Sequence, residues 1–327
     1  MTAAPADLLG HEPSTSRSLS TRTTALTCMG ALLVVVSVLS VFVGSGDIPV
    51  GEAWRAIWHH DGSTNAEIIR STRLPRTLLG ITVGAAMGIA GALMQALTRN
   101  PLADPGILGV NAGAYFAMAG AFVSAALVHV VGSRGRGAGP ATLVLTGVAV
   151  SCVFTGVAFG MTMVDPKAFD AIRGWQVGSL QKDHGSDLLV STTPWIVVGI
   201  LLALALTGFL NAIALGDDRA RALGVPVTGV RTVGFVAMTF MCGAGTAAVG
   251  PITFLGLMVP HAVRAVVGPD QRWIIPACAL AAPVLFLGAD VIGRVLLETE
   301  LPVGMITAFI GAPVLIHLVR TRGVREL

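Results

Sequence analysis

Residues 73–99 read RLPRTLLGITVGAAMGIAGALMQALTR, and this stretch decides the fold class. Arginines at its two ends flank an apolar run of about 20 residues, the length a helix needs to cross a bilayer. Within the run Gly80, Gly84 and Gly88 recur every fourth residue, and Ala92 continues the series. On a helix these positions share one face, and small residues there let another backbone approach closely. The stretch therefore predicts a membrane helix packed through a glycine stripe. With 40 glycines in the chain, abundance alone would produce some spacings of this kind.

Composition extends the reading to the whole chain. Its 327 residues are 54% hydrophobic and 12% charged, with a mean hydropathy of +0.78. A soluble domain carries about 25% charged residues. Apolar runs near 25–43, 77–97, 141–163, 193–213, 231–249, 252–267, 274–292 and 305–319 read as spans, and 107–131 is a further apolar stretch. The expected class is an all-α integral membrane protein, a polytopic helical bundle. Residues 1–22 are polar and rich in small hydroxyl side chains, which predicts a disordered tail before a transmembrane domain over 23–327. The first apolar run is too long for a signal peptide and no A-x-A site follows it, so it is expected to stay as a span. IPVGEAWRAIWHH, 48–60, suits a membrane interface, and 164–191 reads as a polar loop anchored by Trp175.

Several functions lose support. Cys28, Cys152, Cys242 and Cys278 lie in apolar runs with no C-x-x-C pair, as small hydrophobes do. His261 has no second His or Cys nearby at metal spacing, so no metal site is expected. A net charge of +3 spread over several loops points to no nucleic-acid partner. The phosphate-binding loop G-x-x-x-x-G-K-[ST] needs a lysine after glycine. Lys167 follows Pro166 and Lys182 follows Gln181, so this chain supplies no such loop. Ion-coupled transporters usually hold carboxylates inside the membrane. Only Asp290 falls within an expected span, near one end. Pro101, Pro105, Pro251 and Pro260 mark broken helix ends, which membranes tolerate where protein or a cavity satisfies the backbone. Such irregular spans point to a transporter or channel body powered, if it pumps, by another chain.

Between two apolar runs stands GDDRARALGV, 216–225. Asp217 and Asp218 suit a helix N-terminus, Ala220 to Leu223 are helix formers, and Gly224 followed by Pro226 is a natural stop. A short extramembrane helix is expected, with Ala220 and Leu223 on one face.

GDDRARALG fits G-x-x-x-A-x-x-L-G and resembles the cytoplasmic coupling loop of ABC importer permeases, here over 214–228. Residues 73–114, ending in NPLADPGILGVNAGA, together with GPITFLGLMVPHAVR (250–264) and ELPVGMITAFIGAP (300–313), look like hallmarks of the iron-chelate and cobalamin permeases, the FecCD family. The resemblance runs from about residue 30 to the C-terminus. It implies a subunit of about ten spans in the cell membrane, with both termini cytoplasmic. A second permease copy or paralogue would complete the pathway for a metal chelate, most simply a ferric siderophore. ATP would be bound by separate ATPase subunits, leaving this chain without cofactor or enzymatic activity. Asp218, Arg219, Ala220, Arg221, Leu223 and Gly224 would meet the ATPase. Arginines matching Arg73, Arg76 and Arg294 would receive glutamates of an extracytoplasmic substrate-binding protein.

The charges near residue 76 have readings of their own. Pro75 suits a first helical position, which would set Arg76 at the unfavourable end of the helix dipole by about 0.3–1 kcal/mol. Lipid phosphates are one compensation, and docking glutamates are another. Asp290 and Arg294 stand four apart and suit a local ion pair.

One region departs from the family. Tyr115 to Thr142 leaves room for barely one span where relatives have two, so the third and fourth spans are shortened. A re-entrant hairpin over 107–131, turning near Gly120, would keep the coupling loop on the cytoplasmic side. An internal deletion that impairs the protein is the other reading. A secondary transporter or channel independent of ATPase, and a membrane enzyme, are the remaining alternatives.

Overall fold

The computed structural model describes residues 18–44, 48–59, 62–108, 117–132, 140–182, 184–297 and 299–322. Helices dominate them. In chain order these are α1 (Leu19–Phe42), α2 (Val50–Trp58), α3 (Thr64–Thr98), α4 (Ala117–Gly132), α5 (Pro140–Val164), α6 (Pro166–Gln176), α7 (Gly185–Ala214), α8 (Asp217–Ala222), α9 (Val227–Val249), α10 (Leu255–Val267), α11 (Gln271–Val295) and α12 (Val303–Arg322). Among the described residues six helices are long and apolar enough to span a membrane, and shorter apolar helices accompany them. The chain is a multi-pass α-helical membrane protein.

Helix α3 is the axis of the bundle. Every residue from Val83 to Leu97 is buried, because α7, α9, α10 and α11 all pack around it. The glycines make this possible. A Cβ on Gly80 would sit 2.2 Å from Leu287 Cδ2, one on Gly84 2.8 Å from Pro283 Cα, and one on Gly88 2.4 Å from Ala282 Cβ. All three face α11. Gly91, one three-residue step beyond Gly88, is tighter still: its Cβ would lie 1.8 Å from the carbonyl oxygen of Gly256 at the start of α10. By contrast α1 and α5 expose Val34, Val35, Leu145, Val153, Phe159 and Met163, the apolar exterior expected of a bundle solvated by lipid.

Four expectations are corrected. Residues 19–22 belong to the first turn of α1, capped by Ser18, so the helix begins before the boundary drawn at residue 23; residues 1–17 lie outside the described part. The loop over 164–191 is largely helical, since Asp165 caps α6 and α7 begins at Gly185. Arg76 does not stand at a helix terminus. A π-helical turn over Ile68–Arg73 joins Thr64–Glu67 to Leu74–Thr98, and the wider turn absorbs the hydrogen bond that Pro75 cannot donate.

The fourth correction concerns the shortened region. There is no turn near Gly120: Ala117–Gly132 is one helix, since a lone glycine costs a helix only about 1 kcal/mol. The route upward is different. After Arg99 the chain runs non-helically to Pro105, whose Cδ lies 3.6 Å from where a Cβ on Gly256 would be, deep beside α3. A short 3-10 turn, Pro105–Leu108, follows, and α4 then descends beside α9, with Phe122 against Phe240 and Val130 beside Thr232. The Asp104 carboxylate accepts from the Gly106 N–H at 2.7 Å.

Candidate functional site

Charged groups collect at the two ends of α3. At one end Arg76 lies against Asp290 of α11, with Nη2 2.8 Å from Oδ1 and Nε 3.1 Å from Oδ2, and its Nη1 donates to Glu300 at 2.7 Å. Asp290 also accepts from Arg294 one turn away, with Nε at 3.0 Å. Arg294 in turn reaches α1, donating to the carbonyls of Ser40 (2.6 Å) and Val43 (2.9 Å). Arg73 donates to the carbonyls of Val41 and Phe42 at the same helix end. Four carbonyls at the end of α1 are satisfied together, capped by guanidiniums from α3 and α11.

This cluster is buried. Arg73, Arg76 and Arg294 are 4%, 7% and 6% exposed, and Asp290 is fully covered. The local pair between Asp290 and Arg294 is present, and what compensates Arg76 is Asp290 and Glu300 rather than lipid or solvent. Sequence reading named the three arginines but missed Glu300, whose only signal was its place at the start of the ELPVGM stretch.

At the other end of α3 stands α8. It is a six-residue helix opened by Gly216, whose φ of 108° requires glycine, and followed by Gly224 at φ 79°. Ala220 is completely buried against the bundle, while Leu223 is 65% exposed, so the two do not share an outward face as expected. Asp218 and Arg221 pair with each other at 3.3 Å, both largely in solvent. Arg219 and Gly224 are exposed as well. The outward face of α8 therefore presents Asp218, Arg219, Arg221 and Leu223, with Ala220 as its root. This end also carries the start of α1, where Arg22 lies 5.7 Å over the ring of Trp273 and 3.9 Å from Asp270.

Between the ends, Gln95 of α3 donates to the Leu257 carbonyl at 3.1 Å and accepts from Arg264 at 3.4 Å. His261 is on α10; no group of three or more His, Cys, Asp or Glu suited to a metal occurs among the described residues. Cys242 and Cys278 are buried, whereas Cys28 and Cys152 are exposed on the helix exterior.

The profile of the FecCD transport family matches residues 32–119 and 114–321. The chain belongs to the FecCD transport family. Its permeases are transport components rather than enzymes. Among the relatives, the ferric enterobactin transport system permease protein FepD of Escherichia coli (strain K12) is 44% identical over 93% of this chain and 97% of its own length. The cobalamin import system permease protein BtuC of Halobacterium salinarum is 34% identical over 98% of this chain and 92% of its own. An inward-facing structure of an ABC transporter assigned to the metal-chelate type superposes with a TM-score of 0.78 at 26% identity, covering 92% of this chain and 99% of that one. The family match falls into two pieces that meet at 114–119, inside the shortened region.

Proposed function

We propose that this FecCD permease imports a metal chelate, most simply a ferric siderophore, across the cell membrane using ATP hydrolysed by partner subunits. It would work with a second permease copy or paralogue, which completes the pathway. The ATPase would seat on Asp218, Arg219, Ala220, Arg221, Leu223 and Gly224, placing α8 and both termini in the cytoplasm. An extracytoplasmic binding protein would dock at the Arg76 end.

The observation that carries this reading is the separation of the two charged ends along one buried helix. An importer needs a cytoplasmic grip and an external dock, and α8 and the Arg76 cluster lie at opposite ends of α3. The shortened third and fourth spans leave that polarity intact. For docking, the buried guanidiniums act through exchange: a binding-protein carboxylate takes the place of Glu300 on Arg76, while Arg73 and Arg294 hold the receiving surface in shape.

Reconstitution of the permease with its cognate ATPase and binding protein in proteoliposomes tests the proposal. Uptake of a radiolabelled ferric siderophore that requires ATP on the α8 side and binding protein on the other supports it. Uptake without the ATPase would instead establish a secondary transporter or channel.

A further inference from the structure

A single carboxylate at the α8 end ties three helices. Asp217, the first residue of α8, lies 3.2 Å from Nη2 of Arg99 through Oδ1 and 3.0 Å from Nη2 of Arg231 through Oδ2. Arg99 closes α3 and Arg231 lies in the first turns of α9. Asp217 keeps 23% of its side chain exposed, against 99% for its neighbour Asp218. The two adjacent acids therefore face in different directions, one into the bundle and one into solvent.

The backbone of Arg99 supplies a second, independent observation. It caps α3 in the left-handed region, at φ 53° and ψ 33°. Helices usually place glycine or asparagine there, and a residue with a Cβ is strained in that conformation. An arginine at this position needs a use for its side chain. Its guanidinium reaches α8, with Nη1 3.7 Å from where a Cβ on Gly216 would stand and Nη2 on Asp217.

We propose that Asp217 is a positioning residue for energy coupling, its shared carboxylate making α3 and α9 move with α8. The inference rests on α8 being the ATPase contact. Among the described residues, apart from this tie, α8 is joined to the bundle by the short links on either side of it and by buried Ala220. A displacement passed to Arg99 travels along α3 to Arg76, about 35 Å away at 1.5 Å per residue. The helix in between is enclosed from Val83 to Leu97, so it shifts as a body rather than bending into lipid. Sharing one carboxylate between Arg99 and Arg231 keeps the central helix and its neighbour in register during that shift.

The test uses the reconstituted permease–ATPase complex with its binding protein and reads ferric siderophore imported per ATP hydrolysed. Wild-type uptake dependent on ATP must be seen first; its absence overturns the importer reading, and this inference, which rests on it, falls with it. Wild-type uptake with an unchanged variant overturns this inference alone. Asp217→Asn is expected to leave ATPase co-purification and basal hydrolysis within about twofold of wild type, while import per ATP falls at least tenfold. Asp217→Glu should recover part of the ratio. In a double-mutant cycle, Asp217→Asn combined with Arg99→Gln should lose no more than the worse single variant, since both remove the same tie. A wild-type ratio in Asp217→Asn overturns the proposal. Loss of ATPase co-purification also overturns it, because the residue would then act in docking. If Asp217→Asn does not fold, Arg99→Gln and Arg231→Gln are read in its place, and wild-type ratios in both overturn it equally.

Discussion

Arg76 and Asp290 stand 214 positions apart in the chain and meet 2.8 Å apart in a site from which solvent is almost excluded. Removing one member of a buried pair typically costs about 3–5 kcal/mol, and because Asp290 keeps Arg294 as a partner, losing Arg76 should fall toward the low end of that range. Arg76→Met should therefore lower the melting temperature of the purified permease sharply. Glu300→Gln, at the more exposed edge of the cluster, should cost far less. Equal losses in thermal unfolding would show that the cluster is not organised around Asp290.

Charge reversal at the same end addresses docking. Arg73→Glu and Arg294→Glu should weaken binding-protein association and slow transport, most visibly at low salt where complementary charge governs encounter. Surface plasmon resonance against the permease in nanodiscs measures this. Undiminished docking by folded variants at low ionic strength would remove these arginines from the docking surface.

The glycine faces predict a graded series. Gly91→Ala drives a methyl into the Gly256 carbonyl, backbone against backbone, and should cost about 3 kcal/mol or more, at or beyond the top of the usual overpacking range. Gly80→Ala meets the end of a flexible Leu287 side chain and should cost less. Gly156→Ala, with open space around it, should be neutral. Thermal stability in one detergent ranks the three.

Leu223 is an exposed apolar side chain on a small charged helix. Leu223→Asp should abolish ATPase co-purification without shifting the melting temperature, because the side chain is outside the bundle core. Retained co-purification would place the ATPase contact elsewhere.

Single cysteines report the polarity of the shortened region. Introduced into a cysteine-free background, Asp218→Cys and Ser133→Cys should both resist membrane-impermeant reagent on intact cells and react after lysis, whereas Glu67→Cys should react from outside. Ser133 is outside the described residues, which makes its labelling an independent check. External labelling at position 218 would mean that α8 cannot meet a cytoplasmic ATPase.

Local periodicity explains what was legible in the sequence. Long apolar runs located the spans near 231–249 and 274–292 to within a few residues and the end of α3 to within one, though not its start at Thr64, and Gly216 and Gly224 bracketed α8 through turn chemistry. Pairings across hundreds of residues left no such trace. Nothing local to Arg76 announces Asp290 or Glu300, and nothing local to Asp217 announces Arg99. Prolines also misled. Pro260, read as a helix end, lies inside α10, just as Pro194, Pro276, Pro283 and Pro313 lie inside their helices, where neighbouring elements satisfy the freed backbone groups. Gly91 escaped notice because it breaks the four-residue spacing, although its three-residue step from Gly88 places it on the face that α10 approaches.

The enclosure of α3 has a consequence for biosynthesis. Its neighbours α7, α9, α10 and α11 follow it in the chain, and α11 ends at Val295. At a synthesis rate of about 5–20 residues per second, roughly 10–40 s pass between completion of α3 and of α11. Throughout that interval the nascent chain holds a helix whose glycine grooves are empty and whose Arg76 has no carboxylate. The ribosome thus releases the centre of the molecule long before its walls, and the half-made permease is the form most exposed to membrane proteases and most in need of an insertase or chaperone to shelter it.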